Sequence, residues 1–180
     1  PAPVVEFAEI VFRGGYEIYL VGGAVRNIKC GLPPDDYDFT TNVTPQQITS
    51  LFRKVIPTGI EHGTVTVLFK GCSFEVTTYR IDGKYSNSRH PDKVIYSTDL
   101  SEDLRRRDFT INAMALDVRN NRFIDMHGGM EDLKNGIIRA IGNPDERFAE
   151  DGLRILRACR FAAQLEFDIE PLTLEGMRHN

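Results

Sequence analysis

Two aspartates two positions apart, Asp36 and Asp38, lie in the segment GLPPDDYDFTTN, with Asp35 just ahead of them. On a β-strand, residues i and i+2 share a face, so both carboxylates would converge on one point. Like charges held that close repel unless a cation lies between them. Mg2+ suits the pair, because it takes one or two carboxylates and completes its shell with water and phosphate oxygens. Glu75, in SFEVTTYR, offers a third carboxylate from a neighbouring strand. A solvated acidic turn after Pro33-Pro34 accounts for an isolated Asp-x-Asp equally well. A calcium loop fits less well, since it lacks the glycine expected at its sixth position.

Upstream, Gly22 and Gly23 separate an apolar run from a helix that begins near Ala24. Backbone N–H groups at such a turn are free to hold an anion, and Arg26 in the first helical turn adds a charge-assisted contact. A phosphate cradle followed by a metal-ready carboxylate pair is more specific than either part alone.

The elements that must position these groups follow from local pattern. EIYLVGG reads as a strand ending at a glycine turn, AVRNIKCG as a helix stopped by Gly31, and DYDFTT as a second strand. TPQQITSLFRKVI has Thr44 as N-cap and Pro45 at the first helical position. GTVTVLFKG alternates and pairs with SFEVTTYR as a hairpin turning at Gly71-Cys72. Asp82 to about Thr98 is polar and aperiodic, a long loop. SEDLRRRDFTINAMALDVRNNRFID combines a helical entry with strand-like ends. A single helix is expected over Asp145–Phe167, with Leu153, Leu156 and Phe161 in the core, and IEPLTLEGMRHN opens another.

Composition narrows the class. The chain has 180 residues, 41% hydrophobic and 27% charged, enough for one globular domain and the start of a second. A net charge of −4 does not advertise a nucleic-acid surface. Cys30, Cys72 and Cys159 are far apart, so neither a disulfide framework nor a zinc knuckle is indicated and a reduced cytoplasmic setting is expected. The four histidines lack metal-ligand spacing, and no apolar run is long enough to span a membrane.

Taken in order, LVGGAVR, DYDFTT, FEVTTYR, RRRDFTINAMALD and RFAEDGLRILRACRF resemble the N-terminal part of the bacterial-type (class II) tRNA nucleotidyltransferases, the CCA-adding enzymes. These belong with the poly(A) polymerases among the polymerase-β-like nucleotidyltransferases, and the resemblance runs from about Ile18 to Phe167. It implies an α+β head with a twisted sheet of about five strands over residues 1–140. The start of an all-helical neck would then occupy 141–180. It further implies CMP and AMP transfer from CTP and ATP to the tRNA 3′ end, with two Mg2+ ions on Asp36 and Asp38 and Glu75 as a third acid. Gly22, Gly23 and Arg26 match the nucleotide-binding turn, although Asn27 stands where the family usually has Asp. Arg107, Asp108 and Asn112 would line the sugar and phosphates.

The same resemblance makes Asp151 and Arg154 a protein substitute for a nucleic-acid template. Cytosine and adenine each present an amine donor beside a ring-nitrogen acceptor, which a carboxylate and a guanidinium match. Uracil and guanine reverse that order and are rejected. Taken cold, spacing of three on a helix gives an ordinary surface ion pair. Arg157 and Arg160 match further family arginines. TGIEHGTVTV and the long loop favour CCA addition over poly(A) or CC-only addition. A-only addition and a non-catalytic nucleotide-binding fragment stay open, and a sugar-nucleotide transferase ranks lower for want of the EDxxR helix. The family continues into tRNA-binding regions beyond the length present, so the chain is expected to bind nucleotide but to extend tRNA poorly.

Overall fold

The computed structural model describes residues 1–83 and 94–180. In chain order, α1 (Ala2–Arg13) leads to β1 (Ile18–Val21), α2 (Gly23–Lys29), β2 (Tyr37–Thr41) and α3 (Pro45–Leu51). Next come β3 (Val55–Gly59), β4 (Thr64–Phe69), β5 (Cys72–Thr78) and the short β6 (Arg80–Asp82) and β7 (Val94–Tyr96). The chain continues through α4 (Leu100–Arg105), β8 (Met114–Asp117), β9 (Arg122–Asp125), α5 (Gly129–Asn135) and β10 (Ile137–Ile138). It ends with α6 (Pro144–Glu150), α7 (Leu153–Leu165), β11 (Asp168–Ile169) and α8 (Pro171–His179).

A mixed sheet runs β3-β4-β5-β2-β1-β8-β9, with β2 and β5 parallel and every other neighbouring pair antiparallel. It has seven strands where about five were expected, and the edges explain the difference. In β3, Pro57 lacks an N–H and the register with β4 shifts between Ile56 and Gly59, so its pattern is weak. At the other edge, β9 is only four residues long, with Phe123 and Ile124 between two charged ends.

Local chemistry set several elements as expected. Thr44 and Gln47 close a reciprocal capping box on α3. The β4–β5 hairpin forms, but it turns at Lys70-Gly71, whose φ values of 48° and 77° suit a tight primed turn. The ends of the expected Asp82–Thr98 loop pair as β6 and β7, while residues 84–93 lie outside the described residues. An addition to the expected elements is α1, which sends Val4, Phe7, Ala8 and Val11 into the core. The Phe7 ring lies 4.6 Å from Phe74 and 5.1 Å from Phe39.

The two faces of the sheet differ. One carries the large core under α1, including Phe39, Phe74 and Val76. The other packs Tyr19, Val21 and Ala115 against Leu100 and Leu104 of α4. Strand alternation puts Asp38 and Glu75 on this second face, where the α4 layer ends.

The single helix expected over Asp145–Phe167 is two helices, broken at Asp151-Gly152. Asp151 is extended (φ −144°, ψ 102°), and its carboxylate accepts the Leu153 N–H at 2.9 Å. That local bond competes with helix continuation, as short polar side chains do. The break turns Leu153 (43% exposed) and Leu156 (66% exposed) out of the core positions expected for them, while Phe161 stays buried.

At Gly129 there is no room for a side chain. A Cβ would overlap the Thr110 carbonyl oxygen and come within 2.9 Å of Met114 Cγ. Gly129→Ala is therefore expected to cost roughly 2–3 kcal/mol and lower the melting temperature by about 4–10 °C. Calorimetry would check this, and an unshifted transition would contradict the packing. Among the described residues, no helix is long and apolar enough to cross a membrane.

Candidate active site

The site begins with strand register. Asp38 in β2 lies directly beside Glu75 of β5 on one side and Val21, the last residue of β1, on the other. Asp36 sits in the bend one residue ahead of β2, exposed, rather than within the strand. Burial is the main force raising the Asp38 carboxyl above its ordinary pKa; Asp36 adds to it and Arg107 opposes it. Burial also raises Glu75, helped by Asp38 and Asp36. Burial first, and mutual repulsion second, disfavour the ionised carboxylates here, a cost that a bound cation would relieve.

The glycine turn abuts this cluster. Gly22 has φ 68° and ψ −141°, a conformation that side-chain-bearing residues scarcely adopt. A Cβ on it would lie 3.7 Å from an Asp38 carboxylate oxygen and 4.0 Å from Arg107 Nη1. At Gly23 a Cβ would come within 3.3 Å of Arg26 Nη2. Bare backbone here leaves space beside the Arg26 guanidinium.

Behind the turn runs a chain of hydrogen bonds. Buried Arg26 donates to Asn112 Oδ1 at 2.6 Å, and Asn112 Nδ2 donates to Asp108 Oδ1 at 3.2 Å. Arg157 Nε donates to Asp108 Oδ2 at 2.8 Å. Arg26, Arg157 and Arg160 surround the Phe161 ring at 5.2, 5.2 and 5.1 Å from its centroid. Burial is the chief cause lowering the Arg26 pKa, although an arginine so placed stays protonated. Asn27, in the family's Asp position, accepts from Arg26 Nη2 at 3.3 Å.

Asp151 and Arg154 flank the break between α6 and α7 instead of sharing a helix. Arg154 is 7% exposed and pairs with Glu150 at 2.8 Å rather than with Asp151. It also donates to the backbone carbonyls of Arg147 and Arg106, each at 3.1 Å. Three of its five N–H donors are thereby committed, leaving one on Nη2 and the one on Nε. The expected surface ion pair is replaced by a locked guanidinium with donors to spare.

All of these groups line one cleft of ≈ 760 Å³, a size ordinary for small-molecule sites. Asp36, Asp38 and Glu75 form its acidic wall; Gly22, Gly23 and Arg26 its glycine turn; Arg107, Asp108 and Asn112 its floor. Asp151, Arg154, Arg157 and Arg160 close the far side. Sequence reasoning omitted a further wall of His62, Arg80, Asp82 and Arg106. The charges in YRID and RRRD were its available signal. Among the described residues, no three His, Cys, Asp or Glu side chains form a cage for a metal. Acidic groups facing an open cleft suit a divalent metal ion that leaves the rest of its shell to phosphate and water.

A family model described as the poly A polymerase head domain matches residues 18–139. The chain belongs to that family. Within this head domain family, nucleotide transfer generally uses a divalent metal. The chain is 53% identical over 167 residues to the CCA-adding enzyme of Oceanobacillus iheyensis, covering 93% of this chain and 42% of the relative. Its fold matches the crystal structure of the Bacillus stearothermophilus CCA-adding enzyme in complex with CTP, with a TM-score of 0.92 and 38% identity. That match covers 99% of this head domain chain and 43% of the other. A tRNA nucleotidyltransferase complexed with a primer tRNA and an incoming ATP analog matches with a TM-score of 0.76 at 34% identity, over 96% of this chain and 48% of that one. The chain thus spans less than half the length of each of these relatives.

Proposed function

We propose that the chain is the nucleotide-binding and catalytic part of a cytoplasmic CCA-adding tRNA nucleotidyltransferase, with residues 1–140 as head and 141–180 as the beginning of a helical neck. The observation that carries this reading is that the crowded carboxylates of β2 and β5 and the Asp151–Arg154 junction open into one cleft. Named relatives that act on or bind CTP, ATP analogs and tRNA support the same reading.

In this reading CTP or ATP lies with its triphosphate beside Gly22 and Arg107 and its base toward Asp151 and Arg154. Asp36 and Asp38, with Glu75 alongside, would hold two Mg2+ ions, which would activate the primer 3′-hydroxyl and neutralise the leaving pyrophosphate. Asp151 has one oxygen on the Leu153 N–H, and its other oxygen accepts the amine of cytosine or adenine. The spare N–H donors of Arg154 meet the ring nitrogen. Asp108, held by Asn112 and Arg157, accepts from ribose hydroxyls. The primer 3′-hydroxyl then displaces pyrophosphate, and its proton leaves to solvent or to a nearby carboxylate.

Calorimetric titration with Mg2+ present is expected to show CTP and ATP binding at least about tenfold more tightly than UTP and GTP. Incubation with tRNA lacking its 3′ end should show slow incorporation by this chain and rapid incorporation by one carried on to the relatives' length. Equal affinity for all four nucleotides would sink the proposal, and incorporation of AMP alone would redirect it to an A-adding enzyme.

A further inference from the structure

Behind the cleft wall lies a carboxylate that the chemistry above does not use. Asp103 in α4 is 0% exposed, and each of its oxygens accepts two hydrogen bonds. Oδ2 takes Thr40 Oγ1 at 2.8 Å and Arg107 Nη2 at 3.2 Å. Oδ1 takes Arg106 Nε at 3.0 Å and the Arg80 backbone N–H at 3.3 Å. Burial alone would push its pKa up, but Arg107, Arg106 and the Thr40 hydroxyl outweigh it and hold the group below the usual range. Fully paired networks of this kind fix geometry, because any loosening strands a buried charge.

Two of its links reach the acidic wall. Thr40 is two residues along β2 from Asp38, on the same face. Arg107 grips Asp103 through Nη2, while its Nη1 lies on the Gly22 side, 4.0 Å from where a Gly22 Cβ would stand. One guanidinium is therefore held from behind by Asp103 while its other end fronts the glycine turn. Freed from Asp103, it would lose that fixed direction.

We infer that Asp103 is a positioning residue, anchoring Arg107 to the strand that carries Asp38 so that the guanidinium faces an anionic ligand at Gly22. The inference rests on the reading that this turn receives a triphosphate. The test is calorimetric titration with inorganic triphosphate, CTP and UTP, with melting temperatures recorded for every variant. Asp103→Asn and Arg107→Ala are each expected to lower triphosphate affinity at least about tenfold, with no further loss in the double variant, since one anchors the other. Thr40→Val should lower it about threefold while Thr40→Ser keeps it, and that pair decides the matter if Asp103→Asn does not fold. Loss under threefold in a folded Asp103→Asn, multiplying losses in the double variant, or identical Thr40 variants would overturn the inference. The expected variant pattern without preference for CTP over UTP would sink the base-reading proposal and leave the positioning role standing. A wild-type chain that binds no triphosphate would overturn both.

Discussion

Asp38→Asn is expected to abolish catalysis and, without metal, to make the protein more stable. Both effects come from the same crowding. In a chain carried on to the relatives' length, labelled CMP incorporation should fall about 1000-fold, equivalent to about 4 kcal/mol of transition-state stabilisation. In the chain as it stands, the Mg2+-dependent gain in CTP affinity should disappear. The stability effect has the opposite sign. Burial, chiefly, raises the Asp38 carboxyl above its unfolded pKa, so the native state holds its proton more tightly than the unfolded state does. Stability then falls as pH rises through the window between the unfolded value, about 4, and the raised folded value. Above that window the charge is present and costs stability; below it the group is neutral in both states. An amide removes the charge at every pH, so in EDTA at pH 7 the variant should melt roughly 1–4 °C higher, with the difference vanishing near pH 3. Glu75, raised for the same leading reason, should behave likewise on Glu75→Gln, more weakly because it is more exposed. Incorporation within tenfold of wild type would remove Asp38 from the chemistry. A lower melting temperature in EDTA at pH 7 would mean that its attraction to Arg107 outweighs burial and repulsion.

What was legible in the chain divides by range. The Thr44 cap, the hairpin and the glycine turn are encoded within a few residues and formed as read, except that the hairpin turns one residue earlier. The convergence of Asp38 and Glu75 was legible as strand face, needing only the two strands to be neighbours. By contrast, Asp103 looks like any charge in a short surface helix. Its partners Thr40 and Arg80 lie 63 and 23 residues away, so its role exists only in the assembled sheet. The two strands beyond the expected five are edge strands, β3 interrupted by Pro57 and β9 only four residues long, and short or broken edges give weak patterns. The α6–α7 break was missed for the opposite reason: apolar periodicity continued across Asp151-Gly152, while the side-chain bond to Leu153 ended the helix locally. The helix face of α1, Val4, Phe7, Ala8 and Val11, stood in the sequence at helical spacing and was not read.

That break also sets the second large effect. Asp151→Asn should lower the preference for CTP over UTP by about 10–100-fold while leaving the melting temperature within a degree or two, because one matched base contact is commonly worth ~1–3 kcal/mol. Asn would keep an oxygen for the Leu153 N–H while replacing the second acceptor with a donor, which clashes with the cytosine amine and suits the uracil carbonyl. Arg154→Ala should behave differently. Its guanidinium holds Glu150 and the carbonyls of Arg147 and Arg106 together, so truncation leaves three acceptors without their donor. A cost of roughly 2–4 kcal/mol is expected there, along with the loss of base preference. The contrast separates recognition from scaffold: selectivity alone should move in Asp151→Asn, and selectivity and stability together in Arg154→Ala. Titration of both variants with CTP and UTP beside thermal melts decides it. If Asp151→Asn kept the full preference for CTP, the carboxylate at the helix break would be a cap and nothing more, and base choice would have to come from elsewhere in the cleft.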